Sequence, residues 1–238
     1  MTRNDIIGLI ASYLYAFGLL FIVEAIGKRF KWPQAFTRKI IHIGSGMWIW
    51  GILALFDTWN IGIIPFATFI VLNYVFYRRQ TFKAMDTTDS SPGTVYFAVS
   101  ITLLFALLWR TGGAPDRVPI AAAAVMAMTW GDGLASIIGL KYGKHIYTTF
   151  NHQRSREGSM AMAVASFLAI LLTLTLLPGS ALSPNSLPLP GWSILLMTVI
   201  GTAVATAAEA FSPAGTDNLS VPLLTGLALF ILNALLGG

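Results

Sequence analysis

The sequence predicts an all-α fold, a polytopic membrane helix bundle of about eight transmembrane helices at ~20 residues each. Three observations predict it. Of 238 residues, 55% are hydrophobic and only 11% are charged, against roughly a quarter charged in a soluble domain. Mean hydropathy is +0.71. Eight apolar segments of bilayer length can be drawn, at 5–27, 39–56, 60–77, 93–110, 118–140, 158–177, 192–210 and 219–236. Little chain is left between them, so residues 1–238 read as a single integral-membrane domain.

The first segment runs apolar to about Ile26, too long for a signal-peptide core, and no small-residue cleavage site follows; it reads as a retained helix. The second opens with Arg38 and Lys39, with His42 one turn beyond Arg38. Its Gly44-Ser-Gly46 reads as helix packing. The turn Asp57-Thr-Trp-Asn60 leads into the third. Asp86, Asp89, Ser90, Ser91, Gly93, Thr94 and Tyr96 surround the start of the fourth.

The fifth segment is the least apolar and the richest in Ala and Gly, which suits close packing inside a bundle. It carries Asp132, and a carboxylate in a spanning helix costs about 2.5–3.5 kcal/mol on insertion scales. Asp132, Ser136, Gly139 and Gly143 follow helical spacing and share one face. Lys141 and Lys144 close that segment. Arg156, Glu157, Gly158 and Ser159 open the sixth. The charge-free loop from Pro178 to Pro190 carries no recognisable chemistry. Glu209 closes the seventh, on a stripe with Thr202 and Thr206. Asp217 and Asn218 open the eighth, with Pro222 expected in its first turn, where a missing N–H costs little.

Orientation follows the basic residues. Twelve of the fifteen Lys and Arg fall in or beside the loops after the first, third and fifth segments; only Arg3, Arg110 and Arg117 lie on the other side. The loops 28–38, 78–92 and 141–157 are therefore expected in the cytoplasm, and 211–218 joins them by parity. Every unusual polar residue from Arg38 to Asn218 falls on that side. A multi-pass protein of the plasma (inner) membrane with a cytoplasmic site is expected.

Several classes are excluded. With no cysteine, disulfides, thiolate metal sites and cysteine nucleophiles are absent. The net charge of +5 follows the positive-inside bias, and no basic stripe with interleaved aromatics suggests nucleic acid as a partner. Gly139-Leu-Lys-Tyr-Gly-Lys-His is not a P-loop: three residues separate its glycines, and His145 stands where Ser or Thr is required. No Ser/His/Asp set or HExxH is present.

What remains is coherent. Cationic side chains and helix N-termini bind phosphates. Separated carboxylates with an amide suit Mg²⁺, which keeps waters and bridges phosphate oxygens. A Mg²⁺–nucleoside triphosphate uses both sets, and a lipid hydroxyl at the bilayer surface meets it there. The chemistry implied is phosphoryl or nucleotidyl transfer to a lipid.

Arg38-Lys-Ile-Ile-His42, Gly93-Thr-Val-Tyr-Phe97, Gly131-Asp-Gly-Leu-Ala-Ser-Ile-Ile-Gly139 with Tyr142-Gly-Lys144, Arg154-Ser-Arg-Glu-Gly-Ser159, and Glu209 followed by Asp217-Asn-Leu-Ser-Val-Pro222 resemble, in this order, the polyprenol kinase family. That family groups phytol kinases, dolichol kinases and CTP-dependent diacylglycerol kinases. The resemblance spans about Thr37 to Pro222. It implies a membrane enzyme that transfers the γ-phosphate of CTP, with Mg²⁺, to a lipid alcohol. Leu140 stands where many members have a basic residue, and Arg154 where Lys is common. The chain lacks the extra helical region usual in dolichol kinases, which points to the compact phytol-kinase-like branch and an acceptor such as phytol or geranylgeraniol.

On this reading Asp132, Arg38, Lys39 and Glu157 are the catalytic candidates. Asp132 is the first choice to position or deprotonate the hydroxyl, and Glu157 the second. Asp132, Asp217 and Glu209 are the candidate metal ligands. Lys144, Arg156, Gly158, Ser159, Gly139, Gly143, Asn218 and His42 are the candidate nucleotide contacts. Two alternatives stand beside it: a phosphatidate cytidylyltransferase-like nucleotidyl transfer, whose closing Lys-Asp and Asp-Arg-x-Asp signature is missing here, and an ion-coupled transporter with Asp132 as the coupling site.

Overall fold

The computed structural model describes residues 1–81, 92–112, 116–149, 152–213 and 215–236. It is a helical bundle with one small hairpin. The helices are α1 (Arg3–Arg29), α2 (Gln34–Met47), α3 (Ile49–Leu55), α4 (Trp59–Gly62), α5 (Ile64–Arg79), α6 (Gly93–Leu108) and α7 (Val118–Tyr142). Strands β1 (Ile146–Thr149) and β2 (His152–Ser155) follow, then α8 (Arg156–Leu176), α9 (Gly191–Phe211) and α10 (Asp217–Leu235). Six helical stretches among the described residues are long and apolar enough to cross a membrane: α1, α4 with α5, α7, α8, α9 and α10. Helix α6 is apolar but shorter. The second apolar segment is two helices, α2 and α3, parted at Trp48. The protein is an integral membrane protein, with Leu14, Phe21, Val164, Leu172 and Leu195 among the large apolar side chains turned outward.

Helix α7 is the axis. From Val118 to Met128 every residue is buried, so this stretch has no solvent or lipid face. Small residues let its neighbours approach. A Cβ on Gly158 of α8 would stand 3.0 Å from the Ala135 carbonyl oxygen and 3.4 Å from Gly139 Cα. A Cβ on Gly133 would stand 2.7 Å from Ile43 of α2. On the other face of α2, one on Gly44 would meet Leu19 of α1 at 2.8 Å, in keeping with the packing role read for Gly44 and Gly46.

Helix ends are set by local chemistry. Thr2 and Asp5 form a capping box at the start of α1. The Asp5 carboxylate, fully buried, also accepts the backbone N–H groups of Asp57 and Thr58 and the Thr58 hydroxyl, pinning the turn before α4. Ser155 caps α8, its hydroxyl accepting the Gly158 N–H at 3.1 Å.

Two expectations need correction. Ile146–Thr149 and His152–Ser155 are not plain loop: they pair as antiparallel strands, Ile146 with Ser155 and Tyr147 with Arg154. The Ile-Tyr-Thr-Thr run has the β-branched and aromatic residues that suit a strand, too few to register beside long apolar helices. Pro222 is not in the first turn of α10, because that helix already begins at Asp217. It lies in the second turn, and its missing N–H frees the Asn218 carbonyl. The Ser100 hydroxyl of α6 donates to that carbonyl at 2.9 Å, so the proline creates a tie between α6 and α10.

Candidate active site

The end of the bundle that holds the start of α2, α6, α8 and α10 and the hairpin contains two adjoining cavities. The first is polar, about 380 Å³, bounded by Asp132, Ser136, Gly139, Arg154, Ser159 and Glu209 among others. The second is mostly apolar, about 360 Å³, enclosed by α1, α2, α5 and α6. Arg38, Lys39, Gly215 and Asp217 line both. A charged boundary thus separates a polar chamber from an apolar one.

Asp132 is buried, and Lys39 reaches it across the α2–α7 contact, with Nζ 2.6 Å from Oδ2. The Nε2 of His42 lies 3.5 Å from the same oxygen and 3.4 Å from the Met128 carbonyl, while its ring packs edge-on to Phe97. Two charges this deep need each other, because either alone keeps a large desolvation cost. Arg38 is exposed on the same helix and has no ion-pair partner among the described residues.

On the far wall, Arg154 of β2 forms an ion pair with Glu209 of α9. It donates to the Ser212 carbonyl at 3.1 Å and lies 3.6 Å from Asp217 Oδ2. One guanidinium therefore holds the end of α9 and the start of α10 against the hairpin. Asp217 Oδ1 accepts the Asn218 N–H. Glu209 Oε2 and the side-chain oxygen of Asn218 are buried and have no hydrogen-bond partner among the described residues.

The expected residues are sorted by this geometry. Asp132, Arg38, Lys39, Asp217, Glu209, Gly139, Gly158 and Ser159 line the polar cavity. His42 and Asn218 line the apolar one. Glu157, Lys144, Arg156 and Gly143 line neither. The Glu157 carboxylate accepts the backbone N–H groups of Lys144 and His145 and pairs with His145 Nδ1 at 2.6 Å, so it braces the base of the hairpin. Lys144 and Arg156 are exposed. Gly143 is needed for clearance, since a Cβ there would stand 2.8 Å from the Ser155 side chain. Gly139 and Gly158 form the close α7–α8 approach as well as the cavity wall. Asp86 and Asp89, with Ser90 and Ser91, lie outside the described residues.

Two residues of the site are faint in the sequence. Arg154 reads there only as a basic residue that opens one of the resembling segments, and nothing local announces its tie to Glu209 and Asp217. Asn73, an amide within the apolar third segment, donates to the Thr94 carbonyl at 3.0 Å at the mouth of the apolar cavity, and its own oxygen has no partner among the described residues. An amide amid apolar residues was its only signal.

The site's oxygens fit a hard cation. Asp132, Asp217 and the unpaired Glu209 oxygen are the donor type that Mg²⁺ takes, and Mg²⁺ needs only one or two carboxylates when phosphates and water complete its shell. No cluster of three His, Cys, Asp or Glu able to hold a metal occurs among the described residues, so Asp132, Asp217 and Glu209 do not form a ready-made three-ligand site.

Comparison with known proteins completes the picture. The phytol kinase of Synechocystis sp. is 32% identical over 230 residues, covering 93% of this chain and 88% of its own. The chain belongs to the phytol kinase family. The chloroplastic farnesol kinase of Arabidopsis thaliana is 29% identical, covering 96% of this family member and 76% of the plant protein. A probable chloroplastic phytol kinase 3 of Glycine max is 28% identical, with 92% and 70% covered. No family model and no solved structure matches the chain.

Proposed function

We propose that the protein is a CTP-dependent kinase of isoprenoid alcohols such as phytol or geranylgeraniol, working at the cytoplasmic face of the membrane. The observation that carries this reading is the shared boundary of the two cavities: a chamber lined by charged and polar side chains meets a mostly apolar chamber at Arg38, Lys39 and Asp217. The names of the relatives support the alcohol kinase class.

The triphosphate lies in the polar chamber, against Arg38, Ser159 and the α7–α8 glycines Gly139 and Gly158, with the prenyl alcohol in the apolar chamber and its hydroxyl at the boundary. The hydroxyl oxygen attacks the γ-phosphorus, the bond to the β–γ bridging oxygen breaks, and a carboxylate takes the hydroxyl proton. Products are the prenyl monophosphate and CDP. Asp132 and Asp217 both stand close enough to the boundary to serve as that carboxylate; Glu157 does not. Arg38 and Lys39 balance charge as it moves onto the leaving oxygen. Mg²⁺ would be held by one or two of the carboxylates of Asp132, Asp217 and Glu209, and would supply charge neutralisation on the triphosphate. Arg154 keeps two of those carboxylates in place.

The test uses membranes containing the protein, Mg²⁺, and CTP labelled at either the α or the γ phosphorus, with farnesol, geranylgeraniol and phytol as acceptors. Label from the γ position in a prenyl monophosphate is expected, and chelation should stop it. Label from the α position would identify a cytidylyltransferase, and an absence of labelled lipid with every alcohol would overturn the reading.

A further inference from the structure

The apolar cavity has a floor. Its lining runs from Asn73 to Pro65 on α5, from Gly93 to Ile101 on α6, from Leu20 to Ser12 on α1 and from Arg38 to Trp48 on α2 and its break. Eight to ten residues of helix on each wall give a depth of about 12–15 Å at 1.5 Å per residue. Trp48 is the last lining residue along the α2 wall, at the end away from Arg38 and Lys39, and Ser12, the last along the α1 wall, is the hydrogen-bond partner of its indole.

That indole is fixed from three sides. It stacks on Tyr15, with ring centroids 4.2 Å apart. Its Nε1–H donates to the Ser12 hydroxyl at 3.0 Å. It covers Gly51, where a Cβ would stand 2.7 Å from the ring. Tyr15 in turn donates to the Gly44 carbonyl at 2.8 Å. A tilt of the ring away from an incoming chain would break the Ser12 bond and the stack together.

We propose that Trp48 is the chain-length stop for the acceptor: the prenyl tail enters from the Arg38–Asp217 boundary and its far end meets the indole. This deepens the kinase reading and rests on it. A tetrahedral carbon chain advances about 1.25 Å per bond when extended, so the cavity takes about ten to twelve backbone carbons. That is the backbone of three isoprene units. Farnesol fits end to end; in geranylgeraniol or phytol the fourth unit must turn aside at the floor, losing contact there.

Ser45 lines the same wall one helical turn nearer the boundary, which gives a second handle on the depth. Kinase assays in membranes compare geraniol, farnesol and geranylgeraniol for wild type, Trp48→Ala, Trp48→Phe and Ser45→Phe, each read as kcat/KM. Trp48→Ala should raise the geranylgeraniol-to-farnesol ratio about tenfold, the size expected when a hydrophobic pocket gains room for chain carbons. Trp48→Phe should keep the ratio within about threefold of wild type, by the same scale. Ser45→Phe should lower farnesol relative to geraniol by about tenfold. Unchanged ratios in active Trp48→Ala or Ser45→Phe protein overturn the length stop and leave the kinase reading standing. A wild-type protein that phosphorylates none of the alcohols overturns the kinase reading, and the stop with it.

Discussion

Asp132 is the residue on which most of the proposed chemistry turns, and its environment says how to test it. It is buried against Lys39 at 2.6 Å, so the pair stands or falls together. Asp132→Asn should cut phosphoryl transfer at least about 100-fold, the usual scale for removing a positioned acid or base, with the protein still in the membrane at wild-type level. Lys39→Met is a different experiment. It leaves a buried carboxylate unpaired, a loss of about 3–5 kcal/mol, which thermal unfolding in detergent should register. The double variant Lys39→Met/Asp132→Leu should recover much of that stability and none of the activity. Recovery of activity in the double variant would remove both residues from the reaction. Asp132 was readable from sequence because an acid in an apolar helix is costly wherever the helix packs. Its partner was not, because nothing in the spacing of Lys39 and Asp132, far apart in the chain, says that α2 crosses α7 at Gly133.

At the scale of elements, the hairpin and the helix starts carry the site's shape. Arg154 reaches from β2 to Glu209 and Asp217, so Arg154→Ala should loosen the end of α9 and the start of α10 and weaken nucleotide use. The expected result is a nucleotide KM raised about tenfold or more, in proportion to a lost hydrogen bond to a charged group, with Arg154→Lys intermediate. Ser155→Ala removes the α8 cap and should cost about 1 kcal/mol of stability, visible as a lower unfolding temperature. The apolar helical character of the segments was legible, since apolar length is local, whereas the break of the second at Trp48 and the shortness of α6 were not. The hairpin was not, because eight strand residues lie within a polar connection where propensity alone decides little. Pro222 shows the same limit: its place in the helix depended on where α10 begins, and the gain it brings, the freed Asn218 carbonyl, depended on Ser100 of another helix.

At the scale of the whole molecule, the proposed cytoplasmic placement makes a topology prediction. The chain has no cysteine, so single introduced cysteines report cleanly. Ala181→Cys, in the loop before α9, should react with a membrane-impermeant maleimide in intact cells. Thr148→Cys, on the hairpin, should react only after permeabilisation. The reverse pattern would put the site on the outer face. The gathering of polar segments at one end is a property of alternating helix direction: each of the loops that carry them lies an even number of crossings from the others. That much parity could be counted along the chain.

The sequence by itself determined the class of the protein, its helical character and most of the polar residues that line the candidate site, because apolar length, charge bias and the cost of buried carboxylates are local quantities. Tertiary structure decided which of those residues meet. It paired Lys39 with Asp132, bound Arg154 to Glu209, turned Glu157 toward the hairpin base, and set a polar chamber beside an apolar one with Trp48 at its floor. These outcomes depend on how closely helices approach at glycines such as Gly133 and Gly158, and an approach distance between distant segments is written in no single stretch of chain.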